Sequence, residues 1–274
     1  MALCACSSAK NKAMFVTDIH SRAAKEYDAA NKEISQGNFE EAERLLESSY
    51  NMATSIDDIE LLSRICIAKY NLKLLYSDEE EKKEAEKFLI EAKEYAFWSE
   101  NDELLYIISI FEARGAIKLE KDSLTLKEYI TKLDKDRKKL SKSPFYLALS
   151  YRTSADLYFK TEDYSFAASL YEKAALIHTK NRDLDEIGLN WYYAAISYSK
   201  AGEKEKGLES IQNALKYDKD AENISAIIAD YKAYSKILLQ GNASAEEKSK
   251  AESAKLRAEK IENAYLESAK EATY

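Results

Sequence analysis

The chain has 274 residues and a formal net charge of −8, and its composition argues against several classes of protein. Apolar residues make up 46% and charged residues 33%, which is the balance of an ordinary folded domain. The acidic excess argues against a nucleic-acid-binding protein, because that function needs a basic face to neutralise phosphates. One proline and six glycines are too few for the many turns of a β-sandwich or an α/β sheet of this length.

The first segment, residues 1–20, is predicted to be a leader and flexible tether. Leu3-Cys4-Ala5-Cys6 resembles the lipobox of bacterial lipoproteins, in which an aliphatic and two small residues precede the lipidated cysteine. The resemblance implies that Cys6 carries lipid, whose several acyl chains would give stable anchoring.

This interpretation of the leader has alternatives. Only five residues precede Cys6, whereas a signal peptide has a basic region and about 7–15 apolar residues, so lipidation requires a start upstream of Met1. The alternatives are a Cys-x-Cys metal clip with His20 as the nearest further ligand, a strained disulfide between Cys4 and Cys6, and cysteines without function.

Amphipathic helical hairpins are predicted from residue 21 to residue 243. In the clearest one, Trp191, Ala195 and Tyr198 share one helix face at three- and four-residue spacing. Gly202 then interrupts the pattern, as a residue at a helix C-terminus does. A second apolar stripe follows over residues 207–214, which completes a helix–turn–helix unit.

The hairpins recur at a steady interval along the chain. The residues that mark the second helix of successive hairpins are Ala42, Ala85, Leu126, Ala167 and Gly207, at spacings of 43, 41, 41 and 40 residues. A constant period of this length is typical of a helical-repeat array, in which each hairpin buries its apolar face against its neighbours.

Capping signals mark several helix starts. Three pairs fit the capping-box spacing: Ser77 with Glu80, Asp183 with Glu186, and Ser244 with Glu247. The only proline, Pro144, stands where a first helical turn tolerates it.

A charged helix is predicted over residues 244–274 as the terminal cap of the array. Glu246 and Lys250 form an i,i+4 pair on it. One face carries a thin apolar stripe of Ala251, Ala254, Ala258, Ile261 and Tyr265. A seam for self-association is the alternative interpretation of this stripe.

The two clearest hairpins resemble tetratricopeptide (TPR) repeats. The pattern that carries the resemblance is Trp191, Ala195, Tyr198, Gly202, Gly207, Ile211 and Ala214, and it recurs as Tyr151, Ala155, Tyr158, Tyr164, Ala167, Tyr171 and Ala174. The resemblance implies an all-α fold, a right-handed α-solenoid of about six TPR-like hairpins. The period of about 41 residues exceeds the TPR length of about 34, and the proline that usually ends a unit is absent. A HEAT-type array is therefore the structural alternative.

Resemblance to TPR proteins also implies binding without catalysis, on the concave face lined by the first helix of each hairpin. The partner-binding residues implied in this chain are Tyr27, Asn31, Tyr70, Asn71, Arg152, Asp156, Phe159, Tyr192 and Tyr193. Their Tyr, Asn and Arg side chains suit recognition of peptide backbone and carboxylate groups. The alternative is that these are ordinary half-exposed positions between stacked helices.

The sequence offers little for catalysis. It contains no HExxH, CxxC or P-loop motif, and its two histidines, His20 and His178, form no recognisable Ser/His/Asp set. His178 stands at a predicted helix end, and Cys66 lies among apolar residues as a small buried hydrophobe. We therefore expect no enzyme activity, no cofactor and no metal site.

Together, the leader and the repeats resemble the helical-repeat lipoproteins of bacterial envelopes. That resemblance implies a lipid-anchored, periplasm-facing scaffold that binds a protein or peptide partner, touches the membrane only through its lipid and binds no nucleic acid. A solute-handling component of the kind associated with TRAP transporters, with a small-molecule pocket or pore, is the alternative function. A cytoplasmic location is the alternative if Cys6 carries no lipid.

Overall fold

The structure, a computed structural model of the chain, describes residues 18–76 and 79–271. Within these ranges the backbone forms α-helices and one short 3₁₀ helix, and no strand. The prediction of an all-α fold is therefore confirmed. Cys6 and Ser77, a predicted lipidation site and a predicted helix cap, lie outside the described residues.

The described helices pair in sequence into six hairpins, as the repeat pattern predicts. The first helices of the hairpins begin at residues 18, 59, 102, 144, 184 and 224, at intervals of 40 to 43 residues. The helices are α1 (Asp18–Gln36), α2 (Phe39–Ser55), α3 (Ile59–Leu75), α4 (Glu79–Trp98), α5 (Asp102–Lys118), α6 (Ser123–Asp136), α7 (Pro144–Lys160), α8 (Tyr164–Asn181), α9 (Leu184–Lys200), α10 (Lys204–Asp220), α11 (Ile224–Leu238) and α12 (Ala245–Glu271), with a 3₁₀ turn at Arg137–Leu140 after α6.

The long period comes from long helices. Helices α7 to α10 have 17 or 18 residues each, and the turns between them, residues 161–163, 182–183 and 201–203, are short. The two helices of one hairpin therefore already match the roughly 34 residues of a whole TPR unit. The residues in excess of the TPR length lie in the helices, because the turns leave no room for them.

The turns share one backbone geometry that needs few glycines. Glu162, Arg182 and Glu222 follow the ends of α7, α8 and α10 with φ of 67°, 56° and 56°, in the left-handed region. The next amide then closes the helix end, as in the 2.9 Å bond from Asp163 N–H to the Tyr158 carbonyl oxygen. Gly202 occupies the same position with φ of 78°, as predicted. Side-chain-bearing residues thus take positions where glycine is usual, which explains why so few glycines suffice.

The repeat register is confirmed by burial at the marked positions. Ala42, Ala85, Leu126, Ala167 and Gly207 are all buried. At Gly207 the two helices approach closely, since a Cβ there would lie 3.3 Å from the Ala195 carbonyl oxygen of α9. The small residues therefore stand where two helix backbones meet.

The chain forms two compact units, residues 1–105 and residues 106–274. In the described part of the first unit, the core contains Ala23, Leu46, Leu62 and Ile65, among others. Lys73, which occupies a position where TPR repeats favour a small residue, is buried and forms a 2.7 Å ion pair with Glu43. Burying a lysine is tolerated here because its charge is paired.

The first helix begins earlier than the sequence predicts. α1 starts at Asp18, inside the predicted 1–20 leader, and His20 is part of it. The His20 Nδ1 lies 2.5 Å from the Asp58 Oδ2, and the other carboxylate oxygen of Asp58 caps α3 by accepting from Leu61 N–H at 3.2 Å. This contact joins the start of α1 to the start of α3. Local periodicity in the sequence does not predict it, because the two residues lie far apart along the chain.

Two single-residue predictions also hold. Cys66 is fully buried as expected, and burial raises the pKa of its thiol. His178 lies in the last turn of α8 and its Nδ1 is 3.4 Å from the Asp183 Oδ2.

The terminal helix α12 caps the second unit. Ser244 and Glu247 form the predicted capping box, since each backbone N–H donates to the other side chain, at 2.7 and 3.1 Å. The Glu246–Lys250 pair is present at 2.6 Å. The alanines of the apolar stripe are buried, but Tyr265 is 47% exposed, because the helix extends past the neighbouring helix α11 that covers its first turns. No helix among the described residues is long and apolar enough to span a membrane.

Candidate protein-binding face

All nine residues predicted to bind a partner lie on first helices of hairpins. Two are on α1, two on α3, three on α7 and two on α9. Because four of them belong to the first unit and five to the second, the two groups are described separately.

In the first unit, the predicted residues mostly serve the fold. Tyr27 packs on the core, and the Asn31 amide donates to the Tyr27 carbonyl oxygen at 2.9 Å within α1. Tyr70 is only 4% exposed. Asn71 is half-buried beside it. Of these four side chains only that of Asn31 is exposed.

In the second unit, Arg152 is the centre of a polar network. Its Nη1 donates to the Glu186 Oε2 at 2.9 Å, which joins α7 to α9. Its guanidinium carbon lies 5.7 Å from the centre of the Tyr193 ring. Tyr193 in turn stacks on Tyr171 at 5.4 Å between ring centres, and the Tyr171 hydroxyl donates to the Asp156 Oδ1 at 2.5 Å.

Arg114 on α5 joins this network through charge. Burial lowers its pKa, and the opposite charge of Asp156 counteracts that effect. Burial also raises the pKa of Asp156, against the hydrogen bond from Tyr171 and the charge of Arg152. Three consecutive first helices, α5, α7 and α9, therefore contribute ionisable groups to one partly desolvated region. We call Arg114, Arg152, Asp156, Glu186 and Tyr193 the polar belt.

Two donors of the polar belt have no partner. The Nε atoms of Arg114 and Arg152 are buried and have no hydrogen-bond acceptor among the described residues. An unmet donor on a buried guanidinium is costly. Both donors are therefore available to a carbonyl or carboxylate oxygen only if the side chains that cover them move aside.

The other two predicted residues of the second unit flank the belt. Phe159 packs edge-on against Tyr164 at 5.2 Å, and the Lys200 ammonium lies 5.2 Å from the Phe159 ring centre. Tyr192 meets Tyr193 edge-on at 5.6 Å. The structure thus brings Arg152, Tyr192 and Tyr193 together, and Phe159 and Tyr193 pack against the same apolar cluster.

Two belt residues were not predicted. Arg114 lies in the third hairpin. This hairpin matches the repeat pattern poorly, so the pattern did not identify Arg114 as a partner-binding residue. Glu186 is predicted to form a cap with Asp183, which is wrong: the Asp183 side chain makes no capping hydrogen bond. Glu186 pairs with Arg152 of the preceding hairpin instead, and only the packing of α7 against α9 shows this partner.

Comparison with known proteins supports the fold. No family model matches the chain, and no curated protein matches it. Among solved structures, the chain is similar to a signal transduction ATPase with numerous domains (STAND) protein with a tetratricopeptide repeat sensor, from Pyrococcus horikoshii, with a TM-score of 0.61 and 18% identity. The match covers 93% of this chain and 36% of that protein. This likeness, with the consecutive helix pairing, shows an all-α helical repeat of TPR-like type.

Proposed function

We propose that the chain is a non-enzymatic scaffold that binds a protein or peptide through the polar belt of its second unit. The observation that carries this function is the pair of buried Nε donors on Arg114 and Arg152. Glu186 and Tyr193 hold the Arg152 side chain, so little of its rotamer entropy is lost when a partner binds. A partner's carboxylate or main-chain carbonyl would accept the two unused hydrogen bonds.

The residue types of the polar belt are more typical of a protein interface than of a hydrophobic core. Arginine and tyrosine are the residues that most often carry binding energy in protein interfaces. The fold likeness adds that TPR-type repeats generally serve protein interaction, and it gives no support to the solute-handling alternative.

The test is capture of a partner by the purified chain, compared between matched variants. Arg152→Ala should abolish capture, and Arg152→Lys should weaken it, because lysine keeps the charge but loses the planar donor pair. Lys180→Ala removes an exposed charge from the second helix α8 and should leave capture unchanged. Capture by Arg152→Ala at the wild-type level, with an unchanged circular dichroism spectrum, would refute a role for the belt.

At the N-terminus, the proposed scaffold is lipid-anchored through Cys6 and faces the periplasm of a bacterial envelope. The support is the resemblance of residues 3–6 to a lipobox. The test is the intact mass and detergent-phase partitioning of the protein expressed from its native locus. An acylated N-terminal Cys6 would support the anchor, whereas an unmodified chain in the aqueous phase would favour the cytoplasmic alternative.

At the C-terminus, self-association is assigned to the exposed end of α12. Its alanine stripe is covered within the chain, but Tyr265 and Leu266 are 47% and 52% exposed. Sedimentation of the wild type and of Leu266→Ser over a range of concentrations tests it. A monomer at all concentrations would remove this part of the assignment.

A further inference from the structure

A cleft of about 240 Å³ opens in the second unit, apart from the belt arginines. It lies where the first turns of α9 and α11 meet the end of α10. Its walls are largely apolar, with Leu189, Ala226 and Ala229 among them, and its polar lining is acidic.

The carboxyl group of Asp230 is the feature that the fold itself leaves unexplained. Asp230 is only 1% exposed and lines the cleft. Apart from the carboxyl group of Asp218, no group among the described residues forms a hydrogen bond with its carboxyl oxygens. Its neighbour Asp218, also 1% exposed, brings a second carboxyl group to the same place. Burial raises the pKa of both groups, and the charge of Asp218 raises that of Asp230 further.

The position of Asp218 is made possible by a glycine on the facing helix. A Cβ at Gly188 of α9 would lie 2.1 Å from the Asp218 Oδ1, so the Asp218 side chain would have to move. Glycine in a helix interior costs about 1 kcal/mol relative to alanine. Glycine, a weak helix former, therefore stands at position 188, where a larger residue would displace the Asp218 carboxyl group.

The surroundings of the pair are negative. Asp218 stands in the last turn of α10, where the helix dipole is negative, and Asp185 and Glu186 line the same cleft. These two outer acids have partners, since Asp185 accepts from the Asn223 amide at 3.2 Å and Glu186 from Arg152. The nearest base, Lys219, donates to the Tyr231 hydroxyl at 3.0 Å, although its charge still acts on Asp230.

We propose that this cleft binds the ammonium group of an aliphatic amine, with Asp218 and Asp230 accepting its hydrogen bonds. An ammonium supplies three donors and one positive charge, and an alkyl chain behind it would lie against the apolar walls. No three His, Cys, Asp or Glu side chains among the described residues come together in a way that could hold a metal ion. The amine belongs either to a free small molecule or to a lysine side chain of a bound peptide.

The test is titration of the purified chain, followed by amide NMR shifts, with two amines and two uncharged controls. The free amine is n-butylamine and its control is 1-butanol. The peptide is acetyl-Gly-Lys-Gly-amide and its control carries acetyl-lysine instead. We expect the amines, and not their controls, to shift resonances of residues lining the cleft. Tighter binding of the peptide would assign the site to lysine side chains, and tighter binding of butylamine to free amines.

Asp230→Asn and Asp218→Asn keep the shape of the site and remove one acceptor oxygen, together with the second negative charge that the pair gains when an ammonium group replaces its shared proton. Each should weaken amine binding at least about thirtyfold, the equivalent of roughly 2 kcal/mol. Asp220→Asn, at the exposed end of α10, is the matched control and should bind as the wild type does. Equal binding by Asp230→Asn, an equal response to butanol, or a response to Mg²⁺ or Ca²⁺ with none to either amine would overturn the proposal.

This outcome can be separated from the role of the polar belt. Tyr193→Ala alters the belt and leaves both aspartates in place, so it should impair partner capture and retain amine binding. If Asp230→Asn loses amine binding and Tyr193→Ala keeps it, the result supports an amine site in the cleft whether or not the polar belt binds a partner.

Discussion

The buried Asp218–Asp230 pair should make the stability of the second unit depend on pH. Burial, followed by repulsion from Asp218, raises the pKa of Asp230 to about 9, whereas an aspartate in the unfolded chain has a pKa near 4. Between these values the folded chain holds one proton that the unfolded chain has released. The free energy of unfolding should therefore fall as pH rises through this window.

The size of the effect follows from the number of protons. One retained proton gives a slope of about 1.4 kcal/mol per pH unit, so the wild type should lose roughly 3 kcal/mol between pH 6 and pH 8. Asp230→Asn removes the titrating group and leaves an amide that can donate to Asp218. The variant should show little of this slope, and it should be more stable than the wild type at pH 8.

The assay is urea denaturation at pH 6, 7 and 8, followed by tryptophan fluorescence. The chain has two tryptophans, and replacing the exposed Trp98 by Phe leaves Trp191 to report on the second unit alone. Asp220→Asn changes the net charge by the same amount at an exposed position and should keep the wild-type slope. Parallel pH dependence of the wild type and Asp230→Asn would refute the reasoning, because it would mean that the pair takes up no extra proton on folding.

Three further substitutions test the fold by their free energies of unfolding, measured in urea. Glu162→Gly should stabilise the chain by about 1 kcal/mol, since the residue has a φ of 67° and glycine adopts the left-handed region without steric cost. Gly188→Ala should destabilise it because its Cβ would meet the Asp218 carboxyl group, and in an Asp218→Ala background the same change should be neutral or stabilising. Asp163→Ala should cost about 1 kcal/mol by removing the cap that Phe166 N–H donates to, whereas Asp183→Ala, whose side chain makes no cap bond, should cost less.

Each of these has an outcome that would contradict it. A loss of stability in Glu162→Gly would mean that its side chain holds the turn. An equal cost of Gly188→Ala in both backgrounds would show that the carboxyl group is not what the glycine accommodates. Equal effects at the two aspartates would show that the cap bond at Asp163 contributes no more than the contact of Asp183 with His178.

Features of local origin could be predicted from the sequence. The hairpin period, the buried residue in the first two turns of five second helices, the turn at Gly202 and the Ser244–Glu247 cap all depend on residues within about one helix of each other. The 3.6-residue repeat of the α-helix turns such spacing directly into a buried face. The TPR-like fold follows from these features, because hairpins with one apolar face must stack to cover it.

Tertiary packing determines the partners and the burial of the polar groups in the second unit. Glu186 satisfies the spacing of a local cap, yet it pairs with Arg152, 34 residues away, because α7 and α9 lie side by side. Asp218 and Asp230 read in sequence as ordinary charges on separate helices, and only the meeting of α9, α10 and α11 buries them together. Burial and the distances between charges set the energy of such groups, and both depend on neighbours from other hairpins that the local sequence pattern does not specify.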